Sequence, residues 1–380
     1  MLPKPPKKKI SSSEDEDLKR ALAASQADTP KPAHRPKKHE QFARAGSAEE
    51  KDLRRAFKQS LSLSIKPSKA AKNPAPISDY DYEAALARSL AYVHEALVSD
   101  QVMRPGYPRM HNMGVTCFVA TAVQLLSHSR LLREALETPL ENPNPVAEEF
   151  ADLMRQIWSM PTPDTQPIVP ARLVEVLGFS PYHMQDTQEV MNRIIQDLSE
   201  SSERIARLFA VVLQTRSHCE FCNSVVEKPE ISNVVFVPVT ASQNTPVSLE
   251  ACWFAGFSRE HIDENACTTC DAYTNADLDN DLQGTGEIIV VTLRRFVLAN
   301  PKITTPIEYP TNLVLPFGEY RLIGVANHGG ETRNNSHYTA HVYHDIDRVW
   351  LNANDAVLKT IRGPALRSTD AYVLLYERRP

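Results

Sequence analysis

No run of about 18 apolar residues occurs in the 380-residue chain, so no segment is predicted to cross a membrane as a helix. The opening stretch, Met1-Leu2-Pro3-Lys4-Pro5-Pro6-Lys7-Lys8-Lys9, lacks the apolar core of a secretory signal. The expectation is an intracellular, reducing location, cytoplasm and/or nucleus, with the six cysteines as thiols or metal ligands rather than disulfides. Residues 1–104 contain one glycine, Gly46, and few large apolar side chains. They cannot bury a core and are expected to form a largely disordered tail. Their basic bursts, Lys7-Lys8-Lys9 and His34-Arg35-Pro36-Lys37-Lys38, have no aromatic residues interleaved. That argues against a base-stacking platform and against nucleic acid as a partner; a nuclear-import signal is a second reading.

Charge is distributed unevenly. Residues 1–104 hold 20 Lys and Arg against 14 Asp and Glu, a balance of +6, in a chain of net charge −5, so residues 105–380 carry −11. An acidic body steers basic partners without identifying them. With 42% hydrophobic residues the chain is long enough for one large domain plus extra segments.

After Pro105 and Pro108 the composition becomes that of a folded domain. Asn112-Met113-Gly114-Val115-Thr116-Cys117-Phe118 leads into an apolar run through Leu126, which predicts a helix beginning at Cys117. A thiol at a helix N-terminus is expected to have a lowered pKa. Far downstream come Ser336-His337-Tyr338 and Trp350-Leu351-Asn352-Ala353-Asn354-Asp355. A cysteine, a remote histidine and an Asn or Asp to orient the imidazole are the three parts of a thiol hydrolase.

These segments resemble the Cys box and His box of the ubiquitin-specific proteases. The resemblance covers about 108–380 and implies an α+β, papain-like fold of that type, with a helical thumb, a β palm and zinc-ribbon fingers. It implies Cys117 as nucleophile, His337 as base and Asn112 as oxyanion donor. Asn354 and Asp355 remain alternatives for the residue that orients His337. Gln185-Asp186-Thr187-Gln188-Glu189-Val190 resembles a family segment that packs beside the cleft and helps hold ubiquitin's tail. Leu293-Arg294-Arg295-Phe296 resembles the end of its buried strand. Val115, Ala120-Thr121, Ser336 and Ala353 depart from the family pattern, while the Cys, His and oxyanion Asn positions are kept. No catalytic cofactor is implied.

Cys219-Glu220-Phe221-Cys222 and Cys267-Thr268-Thr269-Cys270 are two CxxC pairs with 44 residues between them. Four thiolates at this spacing suit a structural zinc in a ribbon, placed at about 212–275 within a catalytic domain spanning 105–380. His218 and His261 then become surface residues, and Cys252 a core or free thiol. The second half predicts strands around Glu287–Phe296, Tyr320–Ala326, Tyr338–Tyr343, Val349–Leu351 and Ala371–Tyr376.

Three tail segments, at 14–28, 48–62 and 79–93, share one register of acidic residues, a large apolar residue, Ala, a second apolar residue and Ser. These are Leu18, Ala21, Leu22 and Ser25; Leu53, Ala56, Phe57 and Ser60; and Tyr82, Ala85, Leu86 and Ser89. On a helix they form a narrow stripe with acids at the positive end. The pattern is similar to the ubiquitin-interacting motif, which implies ubiquitin, polyubiquitin and ubiquitinated proteins as partners. The third segment continues apolar through Tyr92, Val93, Ala96 and Leu97, so docking on the domain is its alternative. The function expected is cleavage of isopeptide bonds after ubiquitin's C-terminal glycine. The alternatives are a catalytically weak polyubiquitin-binding module and a protease for a ubiquitin-like modifier.

Overall fold

The computed structural model describes residues 104–159, 166–242, 245–296, 302–330 and 336–379. The three tail segments at 14–28, 48–62 and 79–93 lie outside the described residues.

Helix α1 (Cys117–Ser127) is buried along its whole length, as a helix with apolar residues on all sides is. Around it stand α2 (Arg130–Leu136), α3 (Pro145–Trp158), α4 (Ala171–Val176), α5 (Thr187–Ser201) and α6 (Glu203–Phe209). Asn144 caps α3 by accepting from the Val146 and Ala147 N–H groups, with Pro145 in the first turn. Asp186 caps α5 by accepting from Gln188 N–H. Thr187 Oγ1 donates to the Phe118 carbonyl at 2.8 Å and ties α5 to α1.

The palm is one large sheet built from β3 (Val235–Pro238), β7 (Ile288–Arg294), β9 (Asn312–Leu315), β10 (Gly318–Gly330), β11 (Ser336–His344), β12 (Val349–Asn354), β13 (Val357–Ile361) and β15 (Ala371–Arg378). Its order is β13-β12-β11-β10-β15-β7-β3, with β9 beside β10. Within this sheet β3 and β7 pair in parallel and the other described pairs are antiparallel. Val373 and Leu375 face the helices, whereas Leu374 and Tyr376 enter a second core on the other side. Both faces are covered, which is why the Ala371–Tyr376 and Ile288–Val291 runs are apolar throughout rather than alternating. Gly324 allows α1 to approach the sheet, since a Cβ there would lie 3.2 Å from Leu125 Cγ. Arg295 is fully buried, and its guanidinium donates to the carbonyls of Ala371, Ile303, Thr305 and Ser368. It thereby holds the end of β7 against the chain that follows.

The fingers are a second, antiparallel sheet of order β2-β1-β6-β5, from β1 (Val211–Cys219), β2 (Val225–Ser232), β5 (Glu260–Cys267) and β6 (Ala272–Thr285). The inserted ribbon therefore runs past the expected end near 275, because β6 stays paired with β1 as far as Val211 with Thr285. In the chain, β4 (Val247–Ser248) and α7 (Leu249–Gly256) come between β3 and β5. Strands β8 (Ile307–Glu308) and β14 (Arg367–Ser368) join β4 in a small third sheet. Among the described residues no helix is long and apolar enough to cross a membrane.

Candidate active site

Cys117 is the first residue of α1, where the sequence places a helix start. The loop before it is a tight turn on Asn112, whose Oδ1 accepts from Gly114 N–H at 3.2 Å and Thr116 N–H at 2.8 Å. Gly114, at φ +145°, admits the neighbouring loop, since a Cβ there would meet the Pro181 carbonyl oxygen at 2.8 Å. Val115 N–H donates to the same carbonyl at 3.0 Å. That loop brings Met184 Sδ to 3.9 Å from the Cys117 sulfur.

The expected low thiol pKa is not what the structure gives. Burial pushes the Cys117 thiol up to about 12, and the Asp355 carboxylate adds to the rise. The backbone N–H groups of Tyr338, Phe118 and Cys117 pull the other way and are outweighed. The physical reason is that a helix end supplies a fraction of a charge, while removing a thiolate from water costs more.

Strand β11 carries His337, and β12 ends at Asn354. Their ladder closes with Ala340 opposite Ala353, which leaves Asn354 diagonal to His337. His337 Nε2 lies 2.6 Å from Asn354 Oδ1. An amide oxygen only accepts, so the neutral ring carries its proton on Nε2, and Nδ1 is the basic atom. The Tyr338 backbone N–H at the Cys117 sulfur sets the His337 segment against the nucleophile.

Asp355 follows in the two-residue turn joining β12 to β13, with φ +50° and Asn354 paired to Val357. This left-handed conformation is one that Asp tolerates. It turns the carboxylate inward, where Oδ2 accepts from Asn112 Nδ2 at 2.9 Å. The turn is held by Met110 N–H donating to the Asp355 carbonyl and Arg109 Nε to that of Ala356, both at 3.1 Å. Burial raises the Asp355 pKa, while His337, Asn112 and His111 oppose the rise. Its other oxygen, Oδ1, is buried without a hydrogen-bond partner among the described residues. The two alternatives from sequence thus separate in space: Asn354 meets His337, and Asp355 meets Asn112.

Asp186 stands near by, its Oδ2 accepting from Tyr372 Oη at 2.7 Å. With Gln188, Phe236, Arg295 and Phe296 it lines a cleft of about 350 Å³. Met184 had no signal in the sequence, because nothing local marks a side chain that covers a sulfur 67 positions away.

At the fingertips, Cys219 and Cys222 flank the β1–β2 turn, and Cys267 and Cys270 the β5–β6 turn. All four sulfurs lie within 4.8 Å of one another. The cross-pairs measure 4.0 Å (Cys219 to Cys270) and 3.7 Å (Cys222 to Cys267). A tetrahedron with metal–sulfur arms of about 2.3 Å has edges of about 3.8 Å, so the set fits a four-coordinate metal. Asn223 and Asp271 follow the two pairs at φ +56° and +51°, turning the chain back after each knuckle. His261 stays outside this set and hydrogen-bonds Asp277 at 3.0 Å on the ribbon surface. Cys252 is buried and remote from it, in the second core.

The sequence profile described as ubiquitin carboxyl-terminal hydrolase matches residues 109–376. The ubiquitin interaction motif profile matches 13–29 and 48–63, the first two tail segments. Ubiquitin carboxyl-terminal hydrolase 2 of Bos taurus is 24% identical over 367 residues, covering 74% of this chain and 59% of its own length. Ubiquitin carboxyl-terminal hydrolase Usp2 of Drosophila melanogaster is 23% identical, covering 71% of this chain and 34% of its own. Ubiquitin carboxyl-terminal hydrolase nonstop of Drosophila melanogaster is 28% identical over 195 residues, covering 46% and 39%. The chain thus spans less than two thirds of the length of these relatives.

Proposed function

Because the chain belongs to the ubiquitin carboxyl-terminal hydrolase family, we propose that it is a deubiquitinating thiol hydrolase that cleaves isopeptide bonds after ubiquitin's C-terminal glycine. The observation that carries this reading is the pairing of His337 with Asn354 at 2.6 Å beside the buried Cys117. His337 Nδ1 takes the Cys117 proton, and the sulfur attacks the glycine carbonyl carbon. The carbon–oxygen double bond opens to an oxyanion, which the second hydrogen of the Asn112 amide and the Cys117 N–H stabilise; each such donor lowers the barrier by about 2.7–4 kcal/mol. Asp355 fixes the Asn112 amide through its first hydrogen, so its role is positioning. On collapse the carbon–nitrogen bond breaks, and His337 returns the proton to the leaving lysine amine. Water, deprotonated by His337, then splits the thioester and frees the ubiquitin carboxylate and the thiol.

The first two tail motifs bind ubiquitin units of a chain, and the linkers between them allow weak sites to add. The four-cysteine set binds a structural zinc, supported by its sulfur spacing. A cytoplasmic or nuclear location fits these free thiols. The raised thiol pKa and the Met184 cover favour a second reading, a catalytically weak module that presents polyubiquitin.

Reaction with ubiquitin bearing a C-terminal thiol-reactive group decides between them. The expected result is a covalent one-to-one adduct, absent in Cys117→Ala. No adduct, with ubiquitin chains still retained by the tail, leaves the binding module. An adduct with a ubiquitin-like modifier in place of ubiquitin identifies the third alternative.

A further inference from the structure

The chain enters the domain beside a groove that the hydrolase chemistry does not use. Gly106 N–H donates to the Ile157 carbonyl at 2.9 Å. A Cβ on Gly106 would meet the Trp158 ring at 2.5 Å. The imidazoles of His128 and His344 hold the Gly106 and Pro105 carbonyls at 3.1 and 3.0 Å. Arg104 is thereby fixed near the C-terminal end of α3, whose last residue, Trp158, lines a groove between α2 and α3. Its volume is about 1070 Å³. Leu136, Leu140, Met154 and Trp158 line it, and Ile346 at its edge is 65% exposed. An open apolar channel of this kind marks a binding surface.

Upstream, Leu86, Leu90, Val93 and Leu97 recur at i, i+4, i+7 and i+11. That is one apolar stripe of an amphipathic helix, the form that fills such grooves. Only six residues separate Leu97 from Arg104, seven steps along the chain. They reach at most about 24 Å, which keeps the stripe close to the groove. So short a tether gives an effective concentration on the order of millimolar, so that even a weak contact is occupied. Ser25 and Ser60 of the first two motifs lie much farther up the chain. Both sides carry charges of both signs: Arg133 and Arg155 with Glu137, Glu148 and Asp152 in the groove lining, and Arg88 with Glu83 and Glu95 in the segment.

We propose that this groove is filled by residues 82–97 of the same chain as an amphipathic helix. The third motif-like segment is then a docking helix of the domain and not a ubiquitin binder.

Hydrogen–deuterium exchange on the full chain tests this without relying on hydrolytic turnover. Wild type is compared with the double variant Leu90→Asp/Val93→Asp and with Ile346→Asp, each with and without polyubiquitin. In wild type, amides of 86–97 and of the groove loop 137–143 are expected to exchange slowly. Each variant should speed both regions roughly tenfold or more, and polyubiquitin should change neither. Ile346 lies outside the core, so Ile346→Asp leaves the fold intact; unchanged exchange in β10 and β15 checks this. The proposal fails if 86–97 exchange like unstructured chain in wild type. It fails if they gain protection only with polyubiquitin, which makes them a ubiquitin binder. It fails also if their protection vanishes on dilution, which points to a second copy of the chain.

Discussion

At the scale of single residues, the sulfur of Cys117 is bounded by the Val115 carbonyl and Met184 Sδ, at 4.0 and 3.9 Å. Its proton is held on by burial and by Asp355. With the thiol pushed up to about 12, alkylation of the free protein by iodoacetamide at pH 8 should be slow, since only the thiolate reacts. Met184→Ala admits water to the sulfur, lowers its pKa and should speed alkylation several-fold. An unchanged rate would place the barrier elsewhere than the methionine. The two side chains at the end of β12 separate by their partners. Asn354→Ala leaves the His337 ring without its acceptor and should lower kcat roughly 10²-fold on a ubiquitin C-terminal amide, with KM little changed. Asp355→Ala acts on the Asn112 amide instead and removes a like charge from the thiol, so alkylation should speed up even as turnover falls. Equal alkylation rates in both variants would contradict this division.

At the scale of elements, the ribbon and the palm depend on different forces. The palm sheet has apolar cores on both faces, which supply most of its stability. The ribbon is thin, with Phe221 and Tyr273 exposed at its tip, and its outer end rests on the four cysteines. We expect about one zinc per chain by atomic emission. A strong chelator, or Cys222→Ser with Cys267→Ser, should loosen β5 and the outer half of β6 while Ala371–Arg378 stays protected from exchange. Loss of protection in both sheets together would mean that the metal holds the palm as well. Much of this layout was legible beforehand. Alternating or continuous apolar runs gave β7, β10, β11, β12 and β15, and the Cys117 helix began at the residue expected. The reach of β6 to Thr285 was not legible, because Asp277 to Gly284 is mostly polar and its pairing with β1 depends on partners 59 to 72 positions away. Helix α3, by contrast, has a start that is readable in the chain, at Asn144-Pro145.

At the scale of the whole molecule, a catalytic domain and repeated ubiquitin-type motifs occur on one chain. If the motifs act through effective concentration, removing residues 1–63 should weaken capture of long ubiquitin chains by roughly tenfold or more and leave turnover of a single-ubiquitin amide within about twofold. A matching loss on the single-ubiquitin substrate would show that the tail acts on the cleft itself.

The sequence by itself determined the kind of chemistry and its parts: Cys117 before an apolar helix, His337 at the head of a strand, two CxxC pairs, and a motif repeated in register. Each of these is written in local spacing, which the covalent chain carries without folding. The tertiary structure alone decided the state of those parts. It buried the sulfur under Met184, gave His337 to Asn354, and gave Asn112 to Asp355 across 243 positions. Burial and hydrogen-bond partnership arise from segments far apart in the chain, so the protonation of Cys117 and the division between Asn354 and Asp355 appear only once the palm closes on the helix.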